Sequence, residues 1–558
     1  MHMRTVLFML SLLFWAVTAW AGNVAHGEKG AVASVHPLAT RAGLEVLKNG
    51  GNAVDAAVAV GVTLGVVDGY NSGLGGGCLL LIRRASGEIV AIDGREMAPA
   101  AATRDTFLRE GKADTKLSQT GALASGIPGS VAAYAYAVEK YGQKKLADLL
   151  LPAVKIAEDG FPLSETYAER IKATAGELKG FPSAKGLFFH PDGTPLLAGE
   201  MLRQPDLAAS CRALAEHGPD WFYRGPFAAK VAEWMAANGG IITAEDFASY
   251  RLALREPVRG IYRGAEIVSF PPPSSGGVHV IQILNILETF DLPKLSEPAR
   301  AHVIAEAMKL AFADRAHWLG DSDFVPVPRG LLRKDYAQSL AAKIRPDAVL
   351  AVASHSDPPD ALTDTFQKKH TTHFSVADAE GNWVACTATV NTTFGSKVIV
   401  PGTGIILNNQ MDDFSTAAGV PNAFGLVGAE ANAIAPGKRP LSSMAPTIVL
   451  RDGRPVLALG AAGGPTIISQ TVLNLVGVLD LGLTLDAALA QPRLHHQWLP
   501  DEIRLEKRIP SAVEKYLGKL GHKIELTTTI GASNGVEWRD GAFTAASEPR
   551  TSSEATAW

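Results

Sequence analysis

Hydrophobic and polar positions along this chain follow two periods, one of helices and one of strands, with strands dominating only beyond residue 370. Through "HPLATRAGLEVLKNGGNAVDAAVAVGVTLGVV", from His36, the pattern predicts two helices. The first stops at Gly50-Gly51 and the second opens on Asn52 as its N-cap. Ala and Val cover the second helix nearly all round, which predicts burial on every side. "CLLLIRRASGEIVAID", from Cys78, reads as a hairpin turning at Ser86-Gly87. Residues 120–250 read as mainly helical, punctuated by Pro and Gly. "FPPPSSGGVHVIQILNILETF" is a loop feeding a helix, where Ser274-Ser275-Gly276-Gly277 either caps the helix or binds an anion at its start. Residues 345–370 lose all periodicity and are the best linker in the chain. Beyond them strands take over: "THFSVADAEGNWVACTATV", "GIILNN" and "PTIVLRDGRPVLALG", then a helix over about Thr466 to Leu481. Runs of strands with covering helices predict an α+β layered fold.

Composition narrows the picture. At 558 residues, 47% hydrophobic and 19% charged, the chain is globular and long enough for a multilayer core. A net charge of -4 without a Lys/Arg block argues against nucleic acid as a partner. Arg4, the apolar run Val6 to Trp20 and Ala19-Trp20-Ala21 read as a signal peptide over residues 1–21, too short an apolar run to span a bilayer. Export, to the periplasm where two membranes exist, is therefore expected, without stable membrane insertion. Cys78, Cys211 and Cys386 are too few for a disulfide framework and sit in apolar contexts. Adjacent His495 and His496 point to opposite sides of a strand, so neither a metal nor a cofactor is expected.

The chemistry centres on "QKKHTTHFSVAD", residues 367–378. With Asp378 to Gly381 as the turn of a hairpin, the following strand brings Thr389 opposite Thr371, with Asn391 just beyond. The second hydroxyl either orients a nucleophile or forms a plain cross-strand Thr pair. A Thr hydroxyl needs a base. No lone His is persuasive, and no Gly-x-Ser-x-Gly elbow is present. Cutting the His370–Thr371 bond would give Thr371 a free α-amine of pKa about 7.7–8.0, close to working pH. The same hydroxyl can make the cut by attacking the His370 carbonyl, giving an ester that water opens.

"TTHFSV", "NTTFGS", "GIILNNQMDDFS", "GKRPLSSMAPTIV" and "HHQWLPDE" together resemble the small subunit of γ-glutamyltransferases, which are N-terminal-nucleophile hydrolases. "GGNAVDAAVA", "REMAPA", "PPPSSGG" and the Ala-Asp-Arg at 313–315 resemble the large subunit. The resemblance implies a four-layer αββα sandwich, a large subunit at 22–370 and a small one at 371–558, made from one precursor and held as a heterodimer. It makes Thr371 the nucleophile of both self-cleavage and catalysis, with Thr389 as its hydrogen-bond partner. Arg95, Ser442 and Ser443 would hold the substrate α-carboxylate; Asn391, Gln410 and Asp413 would hold its α-ammonium. Gly463-Gly464, between a strand and a helix, would supply the oxyanion hole. The implied reaction moves a γ-glutamyl group from glutathione or a similar amide onto Thr371, then to water, an amino acid or a peptide.

Some positions depart from the family pattern. Phe424 stands in the lid segment where many bacterial members have Tyr, Gly94 replaces a bulkier residue, and "DGYNSGLGGGC" is unusual. That glycine run precedes a strand rather than a helix, so it is not a dinucleotide site. A glutaryl-cephalosporin acylase is the nearest rival, disfavoured because the ammonium-binding set is intact. A poly-γ-glutamate transpeptidase is disfavoured by the lid, and an inactive exported binding protein by the retention of Thr371 with Gly463-Gly464. Mass spectrometry of the purified protein is expected to find a fragment beginning Thr371-Thr372-His373-Phe374. Thr371→Ala is expected to abolish cleavage and activity together; a cleaved, active variant refutes the assignment.

Overall fold

The computed structural model describes residues 22–366, 375–417 and 419–558. The leader at 1–21 and the scissile pair His370–Thr371 lie outside these. Two antiparallel sheets form the centre. Their strands, in chain order, are β1 (Val24–Gly27), β2 (Gly30–Ser34), β3 (Gly77–Arg83), β4 (Ile89–Gly94), β5 (Val258–Tyr262), β6 (Ala265–Ser269), β7 (Ser375–Asp378), β8 (Trp383–Thr389), β9 (Thr447–Arg451), β10 (Arg454–Ala462), β11 (Ala532–Arg539), β12 (Ala542–Ala546) and β13 (Glu554–Ala557). One sheet runs β1-β12-β11-β10-β9-β6-β5 and the other β13-β2-β7-β8-β3-β4.

The two-residue period of a strand explains the layering. On β2, β3 and β8, the residues Ala31, Ala33, Leu81, Trp383 and Ala385 pack in one cluster with Val268, Ile448, Ala458 and Phe543 of the other sheet. Their alternates Val32, Leu80, Ile82, Val384 and Cys386 face a different cluster built with α1 (Pro37–Lys48) and α2 (Ala53–Val67). On the far sheet, Ile267, Val449, Leu457 and Leu459 turn the opposite way, onto α3 (Gly276–Leu287), α4 (Glu297–Trp318) and α5 (Thr466–Leu479). Small Ala side chains between the sheets let them approach closely, and larger ones dominate under the helices. The result is an αββα sandwich, as the sequence leads one to expect.

Several local expectations hold. Asn52 caps α2 by accepting from Val54 and Asp55 amides, with Asp55 returning the bond in a capping box. Every residue of α2 except Gly65 is buried. In the β7–β8 hairpin, Val376 pairs with Val384 and Ala377 with Trp383. The expected pairing of Thr371 with Thr389 lies outside the described residues. The three cysteines are free and buried. No helix among the described residues is long and apolar enough to cross a membrane. Residues 345–366 carry no helix or strand, in keeping with the aperiodic sequence.

One expectation fails. "GIILNN" is not a strand: it makes a single isolated bridge, Ile399 to Ile406. Gly404 there has φ +65. The Asn408 side chain, instead of pointing off a pleat, donates to the carbonyls of Gly75 and Gly126 at 2.9 Å each. Side-chain bonds to distant backbone replace a ladder here. The glycine run opposite is a close-packing device. A Cβ on Gly75 would lie 2.1 Å from the Ile406 oxygen, and one on Gly76 only 1.9 Å from the Thr389 oxygen.

Trp383 is 2% exposed and fills the space between the sheets. Trp383→Ala is expected to destabilise the protein by about 3–5 kcal/mol, read as a lower urea midpoint; a loss under about 1 kcal/mol would mean that the inter-sheet layer is not close-packed.

Candidate active site

Loops at one end of the sandwich collect nearly all the residues singled out from the sequence. Thr389 closes β8 opposite Gly77, and on the next strand Cys78 pairs with Gly94, so Arg95 leaves β4 beside it. β10 ends at Ala462, and the Gly463-Gly464 turn leads into α5. A short 3-10 turn, Gln410–Asp413, and the loop holding Ser442 and Ser443 complete the group.

Arg95 is the central connector. It is 1% exposed. Its Nη2 donates to Asp413 Oδ2 at 2.5 Å, while its Nε donates to the Pro440 carbonyl at 3.1 Å and Nη2 to that of Leu441 at 3.3 Å. The same Asp413 oxygen accepts from Gln410 Nε2 at 2.8 Å. Among the described residues Asp413 Oδ1 accepts no hydrogen bond, and buried Gln410 Oε1 has no partner. Thus a guanidinium expected to meet a carboxylate and a carboxylate expected to meet an ammonium are paired with each other, with acceptor capacity left on Asp413 and Gln410.

A second group lies at the end of β8. Asn391 adopts φ +82 and its N–H donates to Thr389 Oγ1 at 2.7 Å. Its side-chain Nδ2 donates to the Asn409 carbonyl at 3.0 Å, next to Gln410. The left-handed backbone at Asn391 turns the chain sharply after the strand. At the other sheet, Gly463 (φ +134) and Gly464 (φ +59) take conformations that glycine favours. A Cβ on Gly464 would strike the Phe424 ring at 2.6 Å, so the lid segment rests on this turn. Asp412 holds the lid as well, accepting from the Ala423 N–H at 2.9 Å and from Ser118 Oγ at 2.5 Å. Neither Asp412 nor Asp413 acts as a helix cap.

The two serines differ. Ser442 Oγ accepts from the Met444 N–H at 3.1 Å, and the Ser442 carbonyl accepts from the Ser275 N–H and hydroxyl. Ser443 Oγ accepts from Arg315 Nη2 at 3.1 Å. The Ser-Ser-Gly-Gly start of α3 is therefore filled by protein. Gly276 N–H donates to Ser274 Oγ at 3.1 Å, and a Cβ on Gly276 would meet the Met444 carbonyl at 2.1 Å.

Sequence reasoning overlooked Glu96. It is fully buried beside Gly77, its oxygens have no hydrogen-bond partner among the described residues, and Arg95 Nη1 stands 3.6 Å away. Burial pushes its carboxyl up to about 8 against the pull of Arg95. Its place directly after Arg95 was the only signal in the sequence. Behind it, Asp93 binds Arg255 Nε at 3.0 Å, and Arg255 continues to Asp321 and Asp323, which anchors the strand end.

The His495–His496 pair has separate partners, Ser469 and Gln497 for the first, Asp501 for the second. A different group, His302, Glu306 and His522, brings its ligand-type atoms within 4.8 Å, far from any sequence spacing that would reveal it. There the two imidazoles are hydrogen-bonded at 2.8 Å and the Lys309 ammonium stands 3.3 Å from Glu306. An internal cation already balances that carboxylate.

The gamma-glutamyltranspeptidase family profile matches residues 39–558. The chain belongs to this family. It is 47% identical over 536 residues to the glutathione hydrolase proenzyme of Escherichia coli (strain K12), covering 95% of this chain and 92% of that relative. The crystal structure of a cephalosporin acylase from Bacillus halodurans is similar with a TM-score of 0.86 at 28% identity, across 99% of each chain. That of Helicobacter pylori gamma-glutamyltranspeptidase gives a TM-score of 0.57 at 43% identity, covering 58% of this chain and 95% of that one. The sandwich is accordingly the fold of gamma-glutamyltranspeptidases and of acylases alike.

The buried Glu96 makes stability depend on pH. Its folded value, about 8, lies above the ordinary 4.5, so the unfolded chain ionises first as pH rises. Stability from this group is full below about 4.5 and is lost up to about 8. Glu96→Gln is expected to gain on the parent protein across that window in urea unfolding at pH 5 and pH 8.5; an identical gap at both values would contradict the burial argument.

Proposed function

We propose that this protein is an exported, self-processing γ-glutamyltransferase and glutathione hydrolase. The observation that carries the reading is the Arg95–Asp413–Gln410 cluster beside Thr389 and Asn391, within a chain of this family. Both charges needed for an α-amino acid head group are present in one buried cluster. A glutaryl group lacks the amine, and an acylase for it has no use for Asp413 with spare acceptor capacity.

In this reading residues 1–21 are a leader that directs the chain to the periplasm. The precursor divides between His370 and Thr371 into a large subunit, 22–370, and a small subunit, 371–558, that stay together as a heterodimer. The proenzyme name of the Escherichia coli relative supports division of a precursor. The freed Thr371 amine takes the proton from its own hydroxyl, which attacks the γ-amide carbonyl. Thr389, whose hydroxyl already accepts from Asn391, orients the nucleophile. The Gly463-Gly464 turn offers backbone N–H groups to the developing oxyanion. Arg95, Ser442 and Ser443 hold the α-carboxylate, and Asp413, Gln410 and Asn391 the ammonium. Expulsion of the leaving amine gives a γ-glutamyl–Thr371 ester, which water, an amino acid or a peptide then opens. Phe424 lies over Gly464 as an apolar cover, with no phenol to hydrogen-bond. No metal or cofactor takes part in these steps.

The purified protein is expected to release the anilide from γ-glutamyl-p-nitroanilide and to cleave glutathione. Asp413→Asn, which removes the charge facing both the ammonium and Arg95, is expected to lower kcat/KM by at least roughly 10- to 100-fold. Preference for a glutaryl anilide over the γ-glutamyl one would overturn the reading in favour of an acylase.

A further inference from the structure

Arg315 lies near the C-terminal end of α4 and is 4% exposed. Its hydrogen bonds among the described residues go to two neutral hydroxyls: Nε to Ser275 Oγ at 2.9 Å and Nη2 to Ser443 Oγ at 3.1 Å. No carboxylate among the described residues comes within ion-pairing distance of it. Every other deeply buried arginine has one: Arg95 has Asp413, Arg255 has Asp93, Arg439 has Asp93 and Arg493 has Glu548. Burying a guanidinium without a counter-charge is costly, and two hydroxyl acceptors offset only part of it.

The charge around the pocket end points the same way. Arg315 is close enough to both Arg95 and Asp413 to feel their fields. Arg95 and Asp413 neutralise each other. Glu96 is held protonated up to about pH 8 by its burial, so it supplies no counter-charge at neutral pH. One positive charge is therefore left over, and it reaches the pocket through the Ser443 hydroxyl. Because Ser443 Oγ accepts from Arg315, its own proton is free to point away, toward an incoming oxygen anion. A zwitterionic head group fits: its ammonium meets Asp413 and its carboxylate meets the surplus charge.

We propose that Arg315 is a positioning residue for the donor's α-carboxylate, acting through Ser443, and that it sets the enzyme's preference for donors bearing that carboxylate. This rests on the γ-glutamyl reading above. The role is electrostatic as well as geometric. The guanidinium fork spans Ser275 and Ser443 at once, which fixes the Ser443 rotamer, and it supplies the field that a neutral hydroxyl alone lacks.

The test compares γ-glutamyl-p-nitroanilide with its α-carboxamide counterpart, in the parent protein and in Arg315→Gln and Arg315→Lys, using preparations that are fully cleaved on denaturing gels. For Arg315→Gln the KM of the carboxylate donor is expected to rise about 10- to 100-fold with kcat changed by less than about threefold, while the carboxamide donor is little affected. The preference for carboxylate over carboxamide then falls at least about tenfold, and Arg315→Lys lies between, since an ammonium keeps the charge but not the fork. A preference unchanged in either mature variant overturns the proposal, because a purely structural arginine would weaken both donors alike. If Arg315→Gln yields no mature protein, Arg315→Lys decides by the same ratio. A parent protein inactive on both donors would instead sink the γ-glutamyl reading itself.

Discussion

The buried pair between Arg95 and Asp413 is the contact on which the site depends. Arg95 leaves a strand in the first hundred residues; Asp413 sits in a turn more than three hundred positions later. Neither charge is tolerable alone at that depth. Truncating one partner of such a pair leaves the other unmatched, at a cost of about 3–5 kcal/mol. The pair therefore fixes two distant segments against each other, and the Pro440 and Leu441 carbonyls on the same guanidinium add a third. Gln410 takes its position from the same Asp413 oxygen, while Arg315 and Ser275 hold the two serines.

The sandwich delivers those segments to one place. Strand ends β4, β8 and β10 belong to two sheets yet finish on the same side of the molecule. Close backbone approach there explains Gly75 and Gly76, while Gly463 and Gly464 take positive φ values that glycine favours. Rigid ladders hold the polar groups from below, and an irregular lid, pinned by Asp412 and Gln497, lies above.

What the sequence made legible was local. The β7–β8 register followed from a three-residue turn and strict alternation, and the α2 cap from Asn52 with Asp55 three residues on. The layered fold followed from strand runs with flanking amphipathic or wholly apolar helices. The site residues emerged as a set only through motifs resembling a family, since each alone read as surface or cap. Glu96, the Arg315–Ser443 bond and the pairing of Arg95 with Asp413 were not legible, because each depends on what the fold brings alongside rather than on spacing. "GIILNN" misled for the same reason: the Asn408 side chain serves Gly75 and Gly126, and Asn409 serves Gln119 and Thr392, not a neighbouring strand.

The place of β7 in its sheet has a consequence for a chain cut just before it. β7 is an interior strand, hydrogen-bonded on one side to β2 and on the other to β8, and β2 in turn carries the final strand, β13. Segments from before and after the cut are thus interleaved like the fingers of two hands. Pulling the pieces apart would mean unzipping five ladders, β13–β2, β2–β7 and β8–β3 in one sheet and β1–β12 and β6–β9 in the other, and opening the inter-sheet core at once. Divided there, as proposed, the molecule is expected to melt as one body, and its halves, once separated, to have to rebuild each other's sheet rather than merely dock.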